Sequence, residues 1–348
     1  YEVFSKMVTS IKEETFSPCI AYTGTRPVEY AAVPLTMYST GADHLESYTS
    51  ISALLEHFYA EKNTLTRIRQ KSSDLRRIVQ TALEREIKKY DLQLAQMKDT
   101  EKREKYRIYG ELLNTYGYSA KPGDKSLTAV NYYTSEPVTI PLDPTLSATE
   151  NAKKYFDKYG KLKRTYEALS ELTTQVKEEI DHLETISTAL DIALKEEDLV
   201  EIKEELTQSG YIRRKGGTKK AKITSKPFHY LSSDGFHIYV GKNNFQNDEL
   251  TFKFATGNDW WFHAKGIPGS HVVVKTEGKE LPDRTFEEAG RLAAYYSKGR
   301  EQEKVEIDYV QKKQVKKPAG AKPGFVVYYT NYSLMIDSDI SGIEKISD

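Results

Sequence analysis

Asp259-Trp-Trp-Phe-His-Ala-Lys-Gly-Ile-Pro-Gly-Ser-His271, followed by Val272-Val-Val274, is the stretch on which the rest of the chain is read. It holds both tryptophans and two of the seven histidines among 348 residues. In a strand, Trp260 and Phe262 face one way while Trp261 and His263 face the other. The Gly-Ile-Pro-Gly turn then returns the chain into an apolar strand. One face belongs to a core. The other is a candidate stacking or contact surface, and the expectation is mixed: one tryptophan buried, with His263, Ser270 and His271 beside that surface.

Working outward, the neighbouring segments read as a sheet. Phe228–Leu231 and Phe236–Val240 flank Ser-Ser-Asp234-Gly235, a hairpin signal. Glu249–Ala255 alternates as a strand would, as does Val305–Val310. Phe325–Tyr329 and Tyr332–Ile336 read as a hairpin across Thr330-Asn331. Between them, Phe286, Ala289, Leu292, Ala293 and Tyr296 share one face of a single helix over 285–298, closed by Gly299. Residues 227–348 are therefore expected to form an α+β domain, a sheet with one main helix, large enough for its own core.

Upstream, the pattern changes period. Ile51, Leu54, Phe58, Leu65, Ile68, Leu75, Val79 and Ala82 recur at three- and four-residue steps, with Glu61 and Ser72 as polar interruptions. After a one-residue slip, Leu83, Ile87, Tyr90, Leu94 and Met97 carry the rhythm on. This is a coiled-coil seam, and roughly 50 residues of helix would measure about 75 Å. A second seam runs through Ala152, Tyr155, Tyr159, Leu162, Tyr166, Leu169, Val176, Ile180, Leu183, Leu190 and Leu194. Ser147-Ala-Thr-Glu150 is its capping box. Between the seams, Tyr116–Lys125 is a loop by its Gly and Pro content, and Ala129–Tyr133 and Val138–Leu142 alternate as strands. One antiparallel coiled-coil hairpin with a small β insert at its tip is the economical arrangement. The competing arrangement is a parallel coiled coil between two chains.

The expected organisation is thus a small N-terminal remnant over 1–45, a first coiled-coil helix over 46–105, and a tip insert over 106–146. A second coiled-coil helix follows over 147–210, then a basic linker over 211–226 and the C-terminal domain. In the remnant, 16–22 and 30–35 read as short strands around Thr23–Pro27. The chain begins at Tyr1 with no initiator Met, which reads as a piece of a longer protein.

Composition narrows the function. Lys plus Arg and Asp plus Glu are 51 each, so only local clusters inform. The single Cys19 forms no internal disulfide and fits a reducing, cytoplasmic setting. No apolar run reaches bilayer length, so no membrane association is expected. Two segments stand out. Arg213-Arg-Lys-Gly-Gly-Thr-Lys-Lys-Ala-Lys-Ile-Thr-Ser-Lys226 has no acid, and neither does Gln311–Gly324 with Lys312, Lys313, Lys316, Lys317 and Lys322. Acid-free cationic segments favour polyanions through counterion release, although such runs are also ordinary solvated loops. Pro318, Gly320, Pro323 and Gly324 make the second a presented loop. Asp259, His263 and His271 are the only candidates for acid–base or metal chemistry. With no phosphate loop, no His-Glu-x-x-His and no nucleophile elbow, the expectation is no catalytic residue, no metal and no cofactor.

Several of these segments together resemble a known family. Asp259–Lys265 with Gly269-Ser-His271, Leu292–Ser297, Asp308-Tyr-Val310 and Lys316–Gly324 are similar to the NFACT-R domain, the RNA-binding module of the NFACT family. Tyr109-Gly-Glu-Leu-Leu113, Ile140–Pro144, Glu150–Phe156 and Tyr159–Lys163 are similar to the insert and second helix of that family's coiled-coil arm. The resemblance covers nearly all of the chain. It implies ribosome-associated quality control: binding of an obstructed large ribosomal subunit and of tRNA, with alanine tailing of the stalled chain by the full-length bacterial protein. It also implies that the tip insert touches the ribosomal stalk base. The family's NFACT-N half carries the Asp-Arg pair needed for tailing, and residues 1–45 would be at most its last strands. A fibronectin-binding adhesin is the alternative, for which no export or anchor motif is present. The expected RNA-binding residues are Arg213, Arg214, Lys215, Lys219, Lys220, Trp261, His263, Ser270, His271, Lys312, Lys313, Lys316, Lys317 and Lys322. The chain is expected to act as a monomer and by positioning, not as an enzyme.

Overall fold

A computed structural model describes residues 2–23, 26–35, 43–214 and 225–347. These divide into two compact units, one formed by 1–82 with 182–348 and the other by 83–181.

The first unit opens with helix α1 (Glu2–Lys12) and strands β1 (Cys19–Thr23), β2 (Arg26–Ala31) and β3 (Asp43–Ser47), an antiparallel sheet of order β2-β1-β3. Neither α1 nor β3 is expected from the sequence. β3 offers one apolar side chain, Leu45. Its pairing is supplied by β1, with His44 stacked on Tyr22 at 4.9 Å. The buried Ile20 and Tyr22 of β1 pack with Leu54 and Phe58 at the start of the next helix.

That helix, α2 (Ile51–Asp99), and α4 (Ala148–Ile192) form the expected antiparallel pair. In the first unit, Arg76 Nη2 donates to Leu190 O at 2.6 Å. In the second, Thr173 Oγ1 lies 3.5 Å from Met97 Sδ and the Arg103 guanidinium lies 4.0 Å over the Tyr166 ring. Positions fall along one member of the pair as they rise along the other, which only an antiparallel pairing gives. Ala82 and Leu83, where the slip is expected, are both buried. From Val79 the seam runs on through Leu83, Glu86, Tyr90, Gln93, Met97 and Thr100 in alternating four- and three-residue steps, with Tyr90 and Met97 half-buried. Ile87 and Leu94, read as seam residues, are each 42% exposed, while Glu86 and Gln93 are 7% and 8%. The seam thus accepts the polar Glu86 and Gln93 between Leu83, Tyr90 and Met97, because the heptad spacing and not the polarity of a single residue sets which side chains face α4.

The second unit adds α3 (Arg103–Tyr116), β4 (Ser126–Asn131) and β5 (Glu136–Pro141). The sequence reading left 106–116 without structure, whereas it is helical. Tyr109, Leu112 and Leu113 of α3 pack with Leu127, Ile140, Ala152 and Tyr155. Gly110 is required there: a Cβ would stand 2.8 Å from the Phe156 ring. The capping box forms as expected, with Ser147 N–H donating to Glu150 Oε2 at 2.8 Å and Glu150 N–H to Ser147 Oγ at 3.3 Å.

Helix α5 (Glu196–Gln208) ends in a Schellman motif, with Tyr211 N–H bonded to Leu206 O at 2.9 Å and Gly210 at φ +82°. The C-terminal sheet comprises β6 (Phe228–Leu231), β7 (His237–Val240), β8 (Trp260–Ala264), β9 (Val272–Val274), β10 (Val305–Gln311), β13 (Tyr332–Ile336) and β14 (Glu344–Ser347), in the order β13-β10-β8-β9-β7-β6-β14. Every pair is antiparallel. Helix α7 (Asp283–Tyr295) covers one face, burying Ala289, Leu292 and Ala293 against Phe228, Ile238, Phe262 and Val274.

Two strand expectations fail. Residues 249–255, read as a strand, are the end of α6 (Asn244–Glu249) and one π-helical turn (Leu250–Phe254). Asn243 caps that helix, its side chain accepting from Gln246 N–H at 3.0 Å, and the cap overrides the alternation. Nor do 325–329 and 332–336 form a hairpin. Val327–Tyr328 (β12) pairs with Val315–Lys316 (β11), while β13 pairs with β10.

Candidate nucleic-acid interface

The second face of the sheet is not open. Trp261, Val273 and Val310 pack beneath Leu250, Ala255, Val315 and Tyr328, so the sheet is covered on both sides. Trp261 is wholly buried, and Ser270 and His271 are 2% exposed. The expectation that Trp261, Ser270 and His271 meet RNA is corrected: no base reaches them in this fold. Trp260, not Trp261, is the half-buried tryptophan, held by Phe286 at 4.9 Å.

Trp261, His263 and His271 form one packed aromatic set instead. His263 stacks on Trp261 at 5.6 Å, and His271 meets their edges at 5.0 and 5.5 Å. The His271 ring Nδ1 contacts Thr251 Oγ1 at 2.7 Å, and its main-chain N–H donates to Asn247 Oδ1 at 3.0 Å. Burial pushes His271 well below the ordinary imidazole value, and the neighbouring His263 adds to it. Burial likewise pushes His263 down to about 4 against opposing bonds from Gly269 and the Asp308 charge. Both rings are neutral at pH 7 and serve as shape.

What this set supports is the lysine segment. Lys312 N–H donates to Asp259 O at 2.8 Å and Lys313 N–H to Gly257 O at 3.1 Å, so the segment starts on the loop before β8. Its ladder with β12 places Tyr328 over Trp261 at 5.1 Å. Tyr328 OH donates to Asp308 Oδ2 at 2.8 Å, and burial followed by that bond raises its pKa. Lys313, Lys316 and Lys317 are exposed, while Lys312 and Lys322 are half-buried. Asp259 is ion-paired with Lys275. Burial disfavours its charge, but bonds from Lys275 and the Thr256 and Thr276 amides outweigh that and lower its pKa. The expected Lys312–Lys322 surface is therefore one displayed segment laid over a rigid sheet.

Arg213 and Arg214 are exposed, and Arg214 is ion-paired with Glu204. Lys215, Lys219 and Lys220 lie outside the described residues. Sequence reading missed a further cationic face. Lys153, Lys154, Lys158 and Lys161 of α4 are exposed and line one groove with Leu146, Glu150 and Asp157, and Lys154 is paired with Asp143 at 2.9 Å. Their three-, four- and seven-residue spacing was the available signal. Among the described residues, no group of three or more His, Cys, Asp or Glu could hold a metal ion, and no helix is long and apolar enough to cross a membrane.

The segment 241–248 joins the site to the helices. On one side Lys242 Nζ reaches Asp198 at 3.2 Å, Asn243 and Gln246 donate to Glu201 at 2.6 and 2.8 Å, and Asn244 donates to Glu205 at 2.7 Å. On the other side Asn247 holds His271 and Asp248 holds the lysine segment.

Comparison with known proteins agrees with this arrangement. Residues 1–225 match the family described as NFACT N-terminal and middle domains, and 226–329 match the NFACT protein RNA binding domain. A Streptococcus suis protein named Rqc2 homolog RqcH is 41% identical over 88% of this chain and 55% of its own length. The Bacillus subtilis protein of that name is 36% identical over 98% of this chain and 59% of its own. The chain thus spans little more than half the length of these relatives. The solved C-terminal part of the fibronectin/fibrinogen-binding protein from Streptococcus suis is 37% identical with a TM-score of 0.64, over 80% of this chain and 99% of that one. With both family matches in sequence order and such identity across nearly its whole length, the chain belongs to the NFACT family.

Proposed function

We propose that this chain is the large-ribosomal-subunit- and tRNA-binding portion of an NFACT ribosome-associated quality control factor, working in the cytoplasm. The observation that carries the reading is the acid-free lysine segment 311–324, fixed over a doubly covered sheet within the region that matches an RNA binding domain. Such a segment supplies sequence-independent phosphate contacts, and the rigid sheet gives them a register. The lysine face of α4 supplies a second contact surface. The chain acts by holding RNA rather than by chemistry: Asp259, Asp308 and His271 are buried and bonded to their neighbours. Alanine tailing is an activity of the longer protein.

Co-sedimentation with purified large subunits across graded salt tests this. Binding at low salt should fall steeply as salt rises, and reversing Lys313 and Lys316 to Glu should weaken it and flatten the slope. Absence of binding at the lowest salt would sink the reading.

Similarity to the Streptococcus suis fibronectin/fibrinogen-binding protein favours a second reading, a surface protein that binds fibronectin. Saturable binding to immobilised fibronectin at physiological salt, unchanged by the Lys313 and Lys316 reversals, would support it. Binding that disappears with those lysines would mark charge attraction.

A further inference from the structure

The loop from Lys317 to Val326 leaves β11 and returns to β12. Its base is fixed by the ladder, with Val315 opposite Tyr328 and Lys316 opposite Val327. A further tie lies within the loop. Lys317 Nζ is ion-paired with Asp248 Oδ2, and Gly324 N–H donates to Asp248 Oδ1 at 3.1 Å. One carboxylate thus takes an ammonium on one oxygen and a main-chain amide on the other. That donor pair, a point charge and a backbone N–H, is what phosphate oxygens take from RNA-binding loops.

Gly324 sits at φ +79°, and a Cβ there would stand 2.3 Å from Asn244 Oδ1. Only glycine presents its amide in this place. The Lys317 and Asp248 side chains are 29% and 24% exposed, so the pair is reached from solvent. Two other acids beneath the segment are engaged elsewhere. Asp259 is bonded to Lys275, Thr256 and Thr276, and Asp308 to Tyr328 and Ser333. Asp248 reaches up to the loop instead.

We propose that Lys317 Nζ and the Gly324 N–H form a phosphate subsite, which the Asp248 carboxylate fills in the unbound protein and an RNA phosphate takes over on binding. This rests on reading the lysine segment as RNA-binding. Asp248 then acts as a built-in competitor. It lowers affinity, and it withholds one lysine from counterion release until it is displaced.

The test uses the full chain and a labelled oligo-uridine, followed by fluorescence anisotropy at graded KCl. Asp248→Asn removes the charge and keeps an oxygen for the Gly324 amide. It should tighten binding about two- to fivefold, the range of one solvent-exposed ion pair. It should also steepen the salt slope by about 0.7, one further phosphate on a single strand. In a Lys317→Met background the same change should do nothing. Unchanged or weaker binding by Asp248→Asn overturns the proposal, as does an equal gain in the Lys317→Met background, which would be general charge attraction. Should Asp248→Asn lower Tm enough to confuse the reading, Lys317→Met alone decides. It should weaken binding less than Lys316→Met, and an equal loss overturns the subsite. If neither wild type nor Asp248→Asn binds at the lowest salt, the RNA reading fails and the subsite with it. A wild type that binds normally alongside an inert Asp248→Asn refutes the subsite alone.

Discussion

Asn244 Nδ2 donates to Glu205 Oε1 at 2.7 Å, while Glu205 Oε2 is buried with no hydrogen-bond partner among the described residues. The charged groups acting on this carboxyl are Glu201 on α5 and Asp248 on the C-terminal domain, and His182 Nε2 on α4 lies 3.8 Å away. The buried Lys242 is paired with Asp198. Burial, with the nearby carboxylates adding to it, raises the Glu205 pKa to about 8.

The pH dependence follows from that shift. A carboxyl whose folded pKa is raised holds a proton that the unfolded chain releases. Its contribution is therefore present at acid pH and is lost as pH rises through about 8. Wild-type stability should fall between about pH 5 and pH 9 by on the order of 2–4 kcal/mol. Glu205→Gln should flatten that fall. Urea midpoints at several pH values read it, and a Glu205→Gln variant with the same alkaline loss would refute the assignment.

The seam register gives a prediction of opposite signs. Gln93 is 8% exposed and its Oε1 has no partner among the described residues, whereas Leu94 is 42% exposed. Gln93→Leu should stabilise the chain by about 1 kcal/mol, since it removes an unsatisfied buried polar group. Leu94→Gln should be nearly neutral. A seam through Leu94 predicts the reverse, and thermal denaturation of the two variants discriminates.

Gly110→Ala should destabilise the second unit by about 1–3 kcal/mol, because the new methyl meets the Phe156 ring. Phe156→Leu should restore much of the loss when combined with it. Hydrogen exchange confined to α3, β4 and β5 would report the change, and a fully tolerated Gly110→Ala would count against the packing described.

Positioning and contact separate at the RNA surface. Trp261→Ala should cost about 3–5 kcal/mol, as a wholly buried indole does when removed. Lys313→Ala and Lys316→Ala should leave Tm within about a degree and weaken oligo-uridine binding. If Trp261→Phe kept full stability but lost RNA binding, the indole would be a contact after all.

Local pattern set the period of most segments, 249–255 excepted. The 3.5-residue seam of α4, the Ser147 capping box, the Asp234-Gly235 hairpin and the Phe286–Ala293 helix face are all local, and each formed as read. The family was also legible, because its motifs lie in short runs such as Asp259–Lys265. Whatever depends on a distant partner came only with the folded chain. Glu86 and Gln93 sit in the seam between Leu83, Tyr90 and Met97 because they face α4, which single-residue polarity does not reveal. Residues 249–255 became helical because Asn243 caps them and α5 accepts Asn243 and Asn244. The Trp-Trp strand alternates as expected, yet its second face is closed by a lysine segment some fifty residues downstream. Alternation tells which side a ring points to; only the fold tells what lies on that side.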